Sequence, residues 1–115
     1  TMDKATLKRA YKEAKRPMGV YTIASAAQNK VYIGCATDLP ALINRHKFEL
    51  KFGTHRNREL QGAWNTLGEA AFDFEVLDLL PHQESSQGDP AAELQLLLEM
   101  WSDKLKREGV SLVTL

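Results

Sequence analysis

At 115 residues the chain can build one hydrophobic core but not two. Its 43% hydrophobic and 26% charged residues exclude wholesale disorder, and no apolar run approaches the ~20 residues that span a bilayer. Net charge is zero, yet residues 1–65 carry 12 Lys/Arg against 5 Asp/Glu and residues 66–115 carry 3 against 10, a polarity of +7 and −7. This polarity fits either a basic face for a polyanion or two halves that attract each other across the fold.

In chain order, Leu7, Ala10, Tyr11 and Ala14 fall at i, i+3, i+4 and i+7, the apolar stripe of an amphipathic helix over 3–15 that Pro17 ends. Residues 19–24 and 31–34 are short and rich in β-branched and aromatic residues, and Gln28-Asn29 suits the turn of a β-hairpin between them. Capping oxygens on Thr37-Asp38, Pro40 in a first turn and Gly53 past the end frame a helix at 39–52. Asn57 and Gly68 frame the next. Residues 71–79 alternate apolar and acidic and read as a strand with one polar face. Residues 81–90 read as a loop, and Asp89-Pro90 opens a long helix with Leu94, Leu97, Leu98, Trp101 and Leu105 on one stripe. Residues 110–115 suit an added edge strand. The expected fold class is α+β: a three-stranded, mainly antiparallel sheet flanked by helices, in a single domain over 1–115 with an extra N-terminal helix. The polar opening Thr1-Met2-Asp3-Lys4 lacks a signal-peptide core, and the expected compartment is the cytoplasm.

Gly19-Val20-Tyr21 and Tyr32-Ile33-Gly34 lie ten residues apart on the two strands of the hairpin. Lys30 precedes the second tripeptide, Asp38-Leu39 follows it, and His46 stands twelve residues past Gly34. His55, Leu60-Gln61-Gly62-Ala63-Trp64-Asn65 and a strand opening Phe72-Asp73-Phe74 come after. Together these features resemble the GIY-YIG nuclease family, over a motif core of about 18–106. In that family the first tyrosine is held to help deprotonate the attacking water. An arginine on the following helix steadies the scissile phosphate, and a glutamate on a later helix holds a divalent metal. Phosphodiester hydrolysis needs such an activated nucleophile, charge neutralisation and a Lewis acid.

The resemblance carries site roles onto Tyr21, Tyr32, His46 and His55, but the expected arginine position is Leu42 and the expected glutamate position, three before Trp101, is Leu98. Arg45 is one turn from Leu42 on the same side of the helix, so its long guanidinium side chain can stand in. Glu99 is a weaker metal candidate, because one residue of helix turns a side chain by about 100°. The block Lys30, Lys47, Lys51, Arg56 and Arg58 supplies candidate phosphate contacts, or else a solvated helix face. Trp64 and Trp101 read as core anchors and His82 as a solvated loop residue. Cys35 is the lone cysteine, which excludes an internal disulfide and a multi-cysteine zinc site, and no spacing gives it a histidine base.

Three functions follow from the resemblance. One is a nucleic-acid-binding domain, most simply for DNA, with cleavage lost or weakened. The second is an active endonuclease dependent on Mg²⁺ or Mn²⁺, using Tyr21, Arg45 and a relocated carboxylate; no cofactor is implied otherwise. The third is a non-catalytic protein-interaction module.

Overall fold

A computed structural model describes residues 3–13, 16–80 and 90–115. In order they form α1 (Lys4–Glu13), β1 (Met18–Ser25), β2 (Lys30–Ala36), α2 (Leu39–Phe52), α3 (Arg58–Leu67), β3 (Phe72–Leu80), α4 (Pro90–Arg107) and β4 (Ser111–Thr114). The expected loop at 81–90 lies almost wholly outside the described residues, as do His82, Asp89 and Ala14. Among the described residues, no helix is long and apolar enough to cross a membrane.

The sheet has four strands in the order β3-β1-β2-β4, and this corrects the expected three-stranded sheet. β1 pairs antiparallel with both β2 and β3, whereas β4 pairs parallel with β2 from Lys30↔Ser111 to Ile33↔Thr114, so the sheet is mixed. Hydrophobic alternation places a segment in a sheet but does not state its partner or direction, which only tertiary docking decides.

Local signals set the helix ends. The Asp38 carboxylate accepts from the Ala41 N–H at 3.3 Å, Pro40 lies in the first turn of α2, and Gly53 closes it at φ 75°, where its missing Cβ removes the strain. Asn57 accepts from the Leu60 N–H at 3.0 Å at the start of α3. Alternation along β1 and β2 sends side chains to both faces of the sheet. On one face Tyr21, Ile23 and Tyr32 pack with Leu39, Leu50, Leu60 and Phe72, roofed by α2 and α3 and flanked by Leu7 and Tyr11 of α1. On the other, Val20 and Ile33 pack with Leu98 of α4 and its neighbours Leu97, Trp101 and Leu105. Trp64 packs on Phe72 with ring centroids 5.4 Å apart, and Trp101 donates its indole N–H to Asp78 at 3.1 Å. Both tryptophans therefore anchor helices to the sheet, as expected.

Candidate functional site

Both motif glycines are needed for close approach. A Cβ on Gly19 would lie 2.0 Å from the Asp78 carbonyl oxygen of β3, and one on Gly34 would lie 2.6 Å from the Tyr21 hydroxyl. Tyr21 and Gly34 are direct partners in the hairpin, and the Tyr21 ring lies across the bare glycine. The β1–β3 register shifts between Val20 and Tyr21, a bulge of the kind that re-aims a side chain. Tyr21 is thus held at one edge of the core with its hydroxyl toward α2.

There it begins a buried chain of rings. The Tyr21 Oη lies 2.6 Å from Nε2 of His46, and His46 Nδ1 lies 2.7 Å from Nε2 of His55. The Asn57 backbone N–H donates to His55 Nδ1 at 3.0 Å, and the His55 N–H donates to the Gln61 side-chain carbonyl at 3.0 Å. Gln61 in turn donates to the Leu50 carbonyl and to Asn65, which ties the α2–α3 connection to both helices.

The backbone donor orders the protons. Because Asn57 N–H occupies His55 Nδ1, neutral His55 carries its hydrogen on Nε2 and donates it to His46 Nδ1. His46 then carries its hydrogen on Nε2 and donates it to the Tyr21 oxygen. The phenol's own hydrogen is left to point elsewhere. Electrostatics agree with this neutral chain. Burial, then the neighbouring His55, pushes His46 down to about 4, and burial also lowers His55. Burial raises the Tyr21 phenol, reinforced by Cys35. Burial likewise raises the Cys35 thiol, which keeps it protonated and supports no nucleophilic role.

Tyr21, His46 and His55 wall a cleft of about 430 Å³ together with Leu42, Arg45, Glu49 and Arg56. The Arg45 guanidinium sits 3.4 Å from the Glu49 carboxylate. Of the sequence candidates, Tyr21, Arg45, His46, His55 and Arg56 thus come together. Tyr32 does not line this cleft: it is fully buried among Leu39 and Leu60, and its hydroxyl has no hydrogen-bond partner. Lys30 of β2 pairs with Glu59 of α3, while Lys47 rests 5.0 Å over the Phe74 ring; neither lines the cleft, nor do the exposed Lys51 and Arg58. Glu99 is exposed, hydrogen-bonded to Gln95, and does not line the cleft.

Glu49 and Asn57 have site positions that sequence reasoning did not assign. Glu49 was detectable in principle, since it follows Arg45 by four residues and His46 by three on the same helix. A hard divalent cation wants several oxygen ligands. Among the described residues Glu49 is the one carboxylate side chain lining the cleft, and it already serves Arg45. Leu98, at the expected glutamate position, is 5% exposed and packed with Val20 and Ile33. Among the described residues no three metal-ligating side chains gather. The described side chains at the cleft do not fit a protein-held divalent cation.

No protein-family model matches the chain. Intron-associated endonuclease 1 of Enterobacteria phage T4 is 33% identical over 66 residues, 57% of this chain. The chain spans 26% of the length of that relative. The catalytic domain of the homing endonuclease I-TevI superposes with a TM-score of 0.58 at 28% identity, over 78% of this chain and 86% of that one. A point mutant of the same catalytic domain gives 0.57 at 27%, over 79% and 82%. With the Gly19-Val20-Tyr21 and Tyr32-Ile33-Gly34 motifs paired across one hairpin, these likenesses show that the chain is a GIY-YIG nuclease-like domain.

Proposed function

We propose that the domain binds nucleic acid, DNA in the first instance, through the Tyr21 cleft, and that its phosphodiester-cleaving activity is lost or strongly weakened. The observation that carries this is the proton order of the Tyr21–His46–His55 chain. A phenol that receives a hydrogen bond from His46 and keeps its own hydrogen presents a donor to the cleft, not a base. A donor beside Arg45 and Arg56 suits a phosphate oxygen. His46 cannot take the phenol's proton, because its Nε2 already carries one. Leu42 in place of the expected arginine leaves the cleft without that charge, and the expected glutamate position is taken by the buried Leu98, which cannot hold a cation. The T4 relative and I-TevI are both endonucleases, which supports nucleic acid as the partner class.

The test pairs binding with cleavage. Duplex binding followed by fluorescence anisotropy should weaken as salt rises, and Arg45→Gln/Arg56→Gln, which removes the two cleft guanidiniums, should weaken it strongly while the melting temperature stays near that of wild type. Plasmid nicking in millimolar Mg²⁺ or Mn²⁺ should stay at background. Robust nicking by the wild type that disappears in both Tyr21→Phe and Arg45→Ala would instead establish an active endonuclease with Arg45 in the arginine's role.

A further inference from the structure

Phe48 and Phe52 of α2 are 63% and 60% exposed, and their rings contact each other with centroids 4.6 Å apart. Two large aromatic side chains left in water one helical turn apart need a reason, since burying either would be favourable. Their surroundings supply one. Helical rotation of about 100° per residue places Phe48 and Phe52 on the strip beside Arg45 and Glu49, which line the Tyr21 cleft. Arg45 is itself 63% exposed, the same helical rotation sets the exposed Lys51 on the other flank of the two rings, and Arg56 lines the cleft beyond the end of the helix. Glu49 is the acidic neighbour, and it is paired with Arg45.

We infer that Phe48 and Phe52 form a stacking platform for an unpaired base of the nucleic acid whose backbone enters the Tyr21 cleft. This rests on the nucleic-acid reading given above. Aromatic rings bordered by cations are the arrangement that holds single strands: the rings take base faces of any sequence, and the guanidinium and ammonium groups take the phosphates. The charge around the rings argues for this occupant over an apolar protein surface, which would have to strip water from Arg45 and Lys51. The domain would thus prefer strands that are frayed, gapped or single to a continuous duplex.

The experiment compares wild type with Phe48→Ala/Phe52→Ala on a continuous duplex and on a single strand carrying 2-aminopurine. Both side chains are exposed, so the variant should melt at the wild-type temperature. Wild type should quench the probe and bind the single strand, and the variant should lose about tenfold or more in single-strand affinity while duplex affinity changes less than twofold. Equal quenching and equal single-strand affinity in the two proteins would overturn the platform while leaving the nucleic-acid reading intact. No binding to either substrate by wild type would overturn that reading and the platform with it. Sedimentation equilibrium supplies the remaining arm: a wild-type dimer that the variant dissolves would assign the strip to a second copy of the chain and overturn the proposal.

Discussion

His46 and His55 are buried, bonded to each other and neutral, and this makes the fold sensitive to acid. An unfolded histidine titrates near ~6.5, whereas His46 in the fold titrates at about 4. Between those values the unfolded chain binds more protons, so stability rises with pH. The contribution is complete above the unfolded value and is lost as pH falls through the folded one. His46 adds a slope of up to about 1.4 kcal/mol per pH unit in that window, and His55, also lowered by burial, acts in the same direction. Urea titrations from pH 7 to 5 should show this loss, and His46→Gln should flatten part of it; an identical slope in the variant would remove His46 as the cause. Gly34 gives a second prediction at this scale. Gly34→Ala would drive a methyl group into the Tyr21 ring and should destabilise by about 1–3 kcal/mol. In a Tyr21→Ala background the same change should be nearly neutral, and a double-mutant cycle of denaturation curves reads the coupling.

Among the elements, α4 carries the position where the resemblance expects a metal-holding glutamate. Its stripe of Leu94, Leu97, Leu98, Trp101 and Leu105 was legible from helical spacing, but the spacing does not say which face of the sheet receives the stripe. The structure seats Leu98 against Val20 and Ile33, in the core apart from Tyr21 and Tyr32. Leu98→Glu should therefore bury an unpaired carboxylate and destabilise by about 3 kcal/mol or more. Millimolar Mg²⁺ should recover none of it, because among the described residues no three metal-ligating side chains gather and the Asp78 carboxylate already serves the Trp101 indole; melting curves with and without the cation decide this. Helices α2 and α3 were legible nearly to the residue because Asp38, Gly53, Asn57 and Gly68 act within one turn of their own backbone. The hairpin was legible because both motifs lie within it. The parallel pairing of β4, the His46–His55 contact and the place of Glu49 were not, since each depends on how separate elements dock. Tyr32 shows the same boundary within a matched motif: the residue type was correct, but packing turned its ring into the core.

For the molecule as a whole, the split of charge along the chain leads to a quantitative expectation. A basic surface that neutralises phosphates gives a linear fall of log Kd-derived affinity with log salt, with slope about −0.9 per duplex phosphate contacted. Arg56→Gln and Lys51→Gln should each reduce the magnitude of that slope by about 1 and weaken all sequences alike. A slope unchanged by both would place the contact surface elsewhere. One consequence of the Tyr21–Gly34 packing reaches across the whole sheet. Burial alone distinguishes hairpin alignments that differ by one residue, since a single step turns the core face outward. It does not distinguish alignments that differ by two, which keep every side chain on its own face. Sliding β2 by two residues would set Tyr32 or Ala36 opposite Tyr21 in place of Gly34. Both carry the Cβ for which the ring leaves no room. The bare glycine thus works as an indexing notch: the hairpin closes fully in one alignment, and β3 and β4, which hydrogen-bond to its two outer edges, take their own alignment from it.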